Sequence, residues 1–153
     1  MADSAYLTAL KLLARRELSV DGVRARLLER DYPAAEVAAA IDHLLETGAL
    51  DDGRVARAYA RTAATVKGRG RLRVARELQA MGIDRQTAAE AIAEVFGDLD
   101  ERSLIARALQ KKLRGRKIPK DAAERARLYQ HLMRLGFSPA AIDHALGRRD
   151  RDE

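Results

Sequence analysis

The chain has 153 residues, 47% apolar and 34% charged, with 29 basic against 23 acidic groups and no cysteine. That length suits one ordinary domain or a short array of small repeats, and that apolar content excludes global disorder. The absence of cysteine excludes disulfides and thiolate metal sites, and no run approaches the ~18 apolar residues of a membrane span.

The N-terminus carries Asp3 and no apolar signal core, so a cytoplasmic location with no membrane partner is expected. Charge is unevenly spread. Residues 1–50 hold 6 basic and 8 acidic groups, residues 51–100 hold 9 and 8, and residues 101–153 hold 14 and 7. A basic last third points to an anionic partner on one side of the molecule. The competing reading is a soluble chain that is simply rich in arginine.

In chain order, Tyr6, Leu10 and Leu13 share one helical face, and Ser19 after RREL reads as an N-cap. Gly48 closes the last helix of this first stretch. Asp51 and Asp52 open a helix running to about Val66, with Val55, Tyr59, Thr62 and Val66 on one face. The segment VKGRGRLR, residues 66–73, joins it to a helix from about Arg71 to Met81 that carries Val74, Leu78 and Met81. Gly82 ends that helix and Asp84 opens the next. Ile105, Leu109 and Leu113 mark another, and GRKIPK follows, with Pro119 setting the next start. Leu128, Leu132 and Leu135 come next, then Gly136, then the Ser138-Pro139 pair that opens a final helix. Strand signals are missing, so eight or nine short helices are expected.

Three segments align: Leu27 to Ile41 (LLERDYPAAEVAAAI), Leu78 to Ile92 (LQAMGIDRQTAAEAI) and Leu132 to Leu146 (LMRLGFSPAAIDHAL). Each starts with leucine. Four residues on comes Asp31, Gly82 or Gly136, where a left-handed helix end is wanted. An apolar anchor follows: Tyr32, Ile83 or Phe137. The expected architecture is all-α, with three tandem three-helix repeats stacked into an elongated, curved rod that stays monomeric. The repeats fall at 1–50, 51–98 and 99–149, with a charged tail at 150–153.

VKGRGRLR is neither a P-loop, which ends in Gly-Lys-Ser/Thr, nor a dinucleotide fingerprint, which needs a βαβ unit. The first job of Gly68 and Gly70 is to turn the chain between helices. His43, His131 and His144 have no second histidine at three or four residues, so no metal site is expected. Asp51-Asp52 reads as a cap rather than a paired-carboxylate site, and no serine has a nucleophile-elbow context. No catalytic residue and no cofactor is expected. The candidate binding residues are electrostatic. They are Lys67, Arg69, Arg71, Arg73 and Arg76 at one inter-helix turn, and Lys111, Lys112, Arg114, Arg116 and Lys117 at the corresponding turn of the next repeat. Such side chains on turns are expected to project into solvent.

The stretch from Gly48 to Gly82 resembles the RecX family of bacterial recombination regulators. The resemblance rests on Gly48, Leu50, Asp51-Asp52, Val55-Ala56-Arg57, Gly70, Arg73, Glu77-Leu78 and Gly82-Ile83, with Arg15-Arg16, Ser19 and Leu27 in the first repeat. It departs from the family pattern at Val55, Gly22-Val23 and Asp31. It implies a non-enzymatic inhibitor of the RecA recombinase that lies in the groove of the RecA–single-stranded DNA filament, and so a role in recombination, repair and the SOS response. Single- or double-stranded DNA is a further candidate partner. A helix-turn-helix-like module acting directly on DNA and a helical-repeat interaction scaffold are the other functions to weigh.

Overall fold

The structure, a computed structural model, describes residues 2–147; the tail expected at 150–153 lies outside them. The described residues form nine helices and no strand. They are α1 (Ala5–Arg15), α2 (Val20–Glu29), α3 (Ala34–Glu46), α4 (Asp52–Thr65), α5 (Arg71–Ala80), α6 (Arg85–Gly97), α7 (Glu101–Leu113), α8 (Ala122–Leu135) and α9 (Pro139–Leu146). In sequence they are three triplets. None of these helices is long and apolar enough to cross a membrane.

Helix starts follow the capping residues. The Ser19 hydroxyl accepts from the Gly22 N–H at 3.0 Å, Asp51 from Arg54 at 3.1 Å, Asp84 from Gln86 at 2.9 Å and Ser138 from Ala141 at 3.3 Å. One expected start is corrected. α8 begins at Ala122 behind Asp121, whose carboxylate accepts from the Glu124 N–H at 3.0 Å, and not at Pro119. A side-chain acceptor for an orphan N–H outweighs the fixed φ of proline two residues earlier. Pro119 instead offers its carbonyl to Arg125, which also donates to the carbonyls of Leu146 (2.6 Å) and Gly147 (2.8 Å) at the end of α9.

The aligned segments are three copies of one helix ending. Tyr32, Ile83 and Phe137 each donate their N–H to the carbonyl of the leucine five residues back, Leu27, Leu78 and Leu132, at 3.3, 3.1 and 3.3 Å. Asp31, Gly82 and Gly136 sit at φ 64°, 79° and 101° and donate to the carbonyl three residues back. This is the Schellman pattern with its apolar clasp. The three leucines are fully buried, as are Ile83 and Phe137. Tyr32 is half-buried because its hydroxyl is used: it donates to the Asp3 carbonyl at 2.8 Å and lies 2.6 Å from the Thr8 hydroxyl.

The described residues pack as two compact units, one within Met1–Ala58 with Glu77–Ala91 and the other within Tyr59–Arg76 with Ile92–Glu153. In the first, α1, α2 and α3 close around Ala5, Ala9, Val23, Leu27, Ile41 and Leu44. In the second, α9 packs on α7 and α8, and Ile105, Leu132, Phe137 and Ile142 are fully buried. The expected faces of α5, α7 and α8 are buried at Val74, Leu78, Ile105, Leu109, Leu128 and Leu132. In α1 the expected Tyr6, Leu10 and Leu13 pack half-buried against the core beside the fully buried Ala5 and Ala9. That of α4 is corrected. α4 buries Ala56, Ala60, Ala63 and Ala64 beside Val55, while Thr62 is exposed and Val66 is 78% exposed. Alanine lets a neighbouring backbone approach closely, so these helices turn their small side chains inward.

In the first unit Asp51 and Asp52 do different work. Asp51 caps its own helix, whereas the Asp52 carboxylate accepts from the Val20 N–H at 2.9 Å and so caps α2. Burial pushes the Asp52 carboxyl above its ordinary value of 3.8; the Val20 bond opposes this, and the carboxylates of Asp21, Asp51 and Asp84 add to the rise. A folded-state value above the unfolded one gives a stability contribution that is complete below the unfolded value and is lost as pH rises through the folded one. Asp52→Asn keeps an acceptor for Val20 and removes the charge. It is expected to raise stability at neutral pH by a few tenths of a kcal/mol, the site being partly solvated. It should also flatten the stability profile on the alkaline side of about pH 4. Urea unfolding across pH checks this; a loss of stability at pH 7 contradicts it.

Candidate functional site

The turn that carries the first basic group is built on backbone. After α4 the Lys67 N–H returns to the Thr62 carbonyl at 3.2 Å, and the Arg69 N–H to Ala63 at 2.9 Å. Gly68 makes this reversal at φ 66° with open space where a Cβ would be. Gly70 has another task. Its N–H donates to the Leu135 carbonyl at 2.7 Å, and the Leu72 N–H donates to Gly136 at 3.0 Å. A Cβ on Gly70 would stand 2.5 Å from the Gly136 carbonyl carbon and oxygen. The start of α5 is thus seated on the end of α8, backbone against backbone. Gly68 turns the chain, as expected; Gly70, expected to do the same, has no positive φ and is instead fitted to the close approach of α8.

The basic side chains of this turn divide. Lys67, Arg71 and Arg76 are exposed, with the Lys67 ammonium 5.9 Å from the Tyr59 ring centre and the Arg71 guanidinium 5.7 Å from that of Phe96. Arg69 and Arg73 are half-buried. Arg69 donates to the Tyr59 hydroxyl and Arg73 to the Arg134 carbonyl, each at 3.4 Å. The expectation that all five project into solvent is corrected for these two. Arg69 is held back against Tyr59 of α4, and the Arg73 stem lies against the end of α8 at Gly136.

All five members of the second group are exposed. Lys111 and Lys112 lie in the last turn of α7, where the unpaired carbonyls favour positive charge. Arg114 caps that helix in the left-handed region at φ 49°, followed by Gly115 at φ 84°. Lys112, Arg116 and Lys117 line one wall of a groove of about 580 Å³ between α7 and α8. The other wall is Arg127, His131 and Arg134, with Glu124 as the one carboxylate. Lys111 and Arg114 do not line it. Burial holds the His131 imidazole below its ordinary value, and the charges of Lys112 and Arg134 lower it further. Arg134 links the two basic groups, its carbonyl held by Arg73 and its side chain lining the groove.

The second wall was missed from sequence. Its residues are separated in α8 by four and three positions, the spacing of one helical face, but charge-run counting registers only neighbours in the chain. Among the described residues no group of three or more His, Asp or Glu side chains is placed to hold a metal ion.

Models of the RecX first, second and third three-helix domains match residues 5–44, 51–92 and 100–146. The Regulatory protein RecX of Halorhodospira halophila is 34% identical over 95% of this chain and 88% of its own length. That of Pseudomonas fluorescens is 33% identical over 95% and 92%. The crystal structure of RecX from Lactobacillus salivarius superimposes with a TM-score of 0.78, covering 93% of this chain and 92% of that one at 21% identity, a likeness of fold. With three domain matches in order and relatives similar over nearly their whole length, the chain belongs to the RecX family of regulatory proteins.

Proposed function

We propose that this chain is a non-enzymatic negative regulator of RecA, one that lies in the groove of the RecA–single-stranded DNA filament and lowers its ATP turnover and strand exchange. Membership of the RecX family carries the regulatory part of the reading. The partner is what the resemblance to RecX regulators implies. The cationic side chains around Arg134 supply the electrostatics for an anionic nucleoprotein surface: they speed encounter and set register, while shape supplies the rest.

Direct DNA binding is the second reading, and the same cations favour it. The two separate by salt. Binding to bare single-stranded DNA falls steeply with salt, log K dropping by about 0.7 per phosphate neutralised. Binding to the assembled filament is expected to fall less steeply and to be tighter at every salt concentration. Fluorescence anisotropy of the labelled chain against both targets measures this. Equal affinities with equal salt slopes would favour a DNA-binding module over a regulator of the filament.

A further inference from the structure

The α7–α8 groove has features that a surface simply attracting a long polyanion does not require. At about 580 Å³ it lies within the roughly 300–1,000 Å³ range of small-molecule sites. Its charge is concentrated: Lys112, Arg116, Lys117, Arg127 and Arg134 face one carboxylate, Glu124. None of the five cations forms an ion pair with a described residue. Two are already oriented, Arg116 donating through Nε to the Leu113 carbonyl at 3.1 Å and Arg127 to Ala123 at 3.4 Å. Their terminal guanidinium nitrogens are left for a ligand. The same lining includes the apolar Leu113, Pro119 and Leu128 and the His131 ring.

We propose that this groove binds one nucleoside triphosphate, with the phosphates on the cations and the sugar and base over the Leu113–Pro119–Leu128 strip. Charge matches: five cations and one carboxylate leave four positive charges, and a nucleoside triphosphate carries about four negative ones at neutral pH. The apolar strip is what a nucleoside needs and a bare polyphosphate does not. His131 faces Lys112, Arg116 and Lys117 from α7 and the loop after it, and Glu124, Arg127 and Arg134 on its own helix. Its imidazole is held low by burial and then by Lys112 and Arg134. An anion seated on those two charges removes the repulsion, so bound nucleotide raises the His131 value, and binding tightens as pH falls. The proposal does not rest on filament binding, since no recombinase enters it.

The test is calorimetric titration of the full chain with ATP, inorganic triphosphate and adenosine, with imidazole NMR of His131 in parallel. ATP is expected to saturate one site, with triphosphate about tenfold weaker and adenosine silent. Lys112→Ala with Arg116→Ala should weaken ATP at least tenfold; Lys112→Gln with Lys117→Gln should do the same if the first pair perturbs folding. Arg24→Ala in α2 should change nothing. The His131 titration should move upward with ATP in the parent chain. Equal affinity for ATP and triphosphate, or an unmoved His131, would each overturn the site.

Discussion

Gly136→Ala should cost about 2–5 kcal/mol of stability. Two costs add. The residue sits at φ 101°, where a Cβ is strained by about 1–2 kcal/mol. The Cβ would also collide with the Arg73 stem and backbone, an overpacking cost of about 1–3 kcal/mol. Gly70→Ala meets the same junction from the other side, with only the steric cost. Gly68→Ala is the control: it has the positive φ and open space, so only the strain of about 1–2 kcal/mol is expected. Thermal unfolding should rank the three with Gly136→Ala lowest, about 5–15 °C below the parent. A Gly70→Ala chain as stable as the parent would contradict the backbone contact between α5 and α8.

Neutralising the exposed cations should instead spare the fold and remove function. The set is Lys67, Arg71, Arg76, Lys112, Arg116 and Lys117, each changed to Ala; each exposed replacement is expected to shift stability by no more than about 0.5 kcal/mol. Affinity for the RecA–DNA filament should fall about 10- to 100-fold at low salt, with the gap closing as salt rises. Arg69 and Arg73 are left out because they hold the turn; changing them is expected to lower stability as well as binding. Circular dichroism and filament binding read the two effects separately. If the six-fold variant folds and binds like the parent, the contact surface lies elsewhere, and the acidic and apolar face of the first repeat is the next candidate.

Much of the fold was legible because it is written in backbone chemistry that a sequence displays. A leucine, then a residue tolerant of positive φ four positions on, then an apolar anchor specifies a Schellman ending, and all three copies form it. Asp31 does so without being glycine. The inward face of α4 was not legible, and in α1 only its large residues were: large apolar residues advertise a helical face and alanines do not. The tethered roles of Arg69 and Arg73 were hidden for a related reason, since the partners are Tyr59 and a backbone carbonyl of α8 far along the chain. The groove was half legible. Lys112, Arg116 and Lys117 stand in a visible charge run, but Arg127, His131 and Arg134 become a wall only once α8 is placed beside α7.

ATP turnover by RecA on single-stranded DNA, measured with rising amounts of this chain, tests the regulatory reading most directly. A progressive fall to a low plateau is predicted, lost in the six-fold charge variant and retained in Asp52→Asn. Turnover unchanged at saturating amounts of the correctly folded parent chain would contradict it.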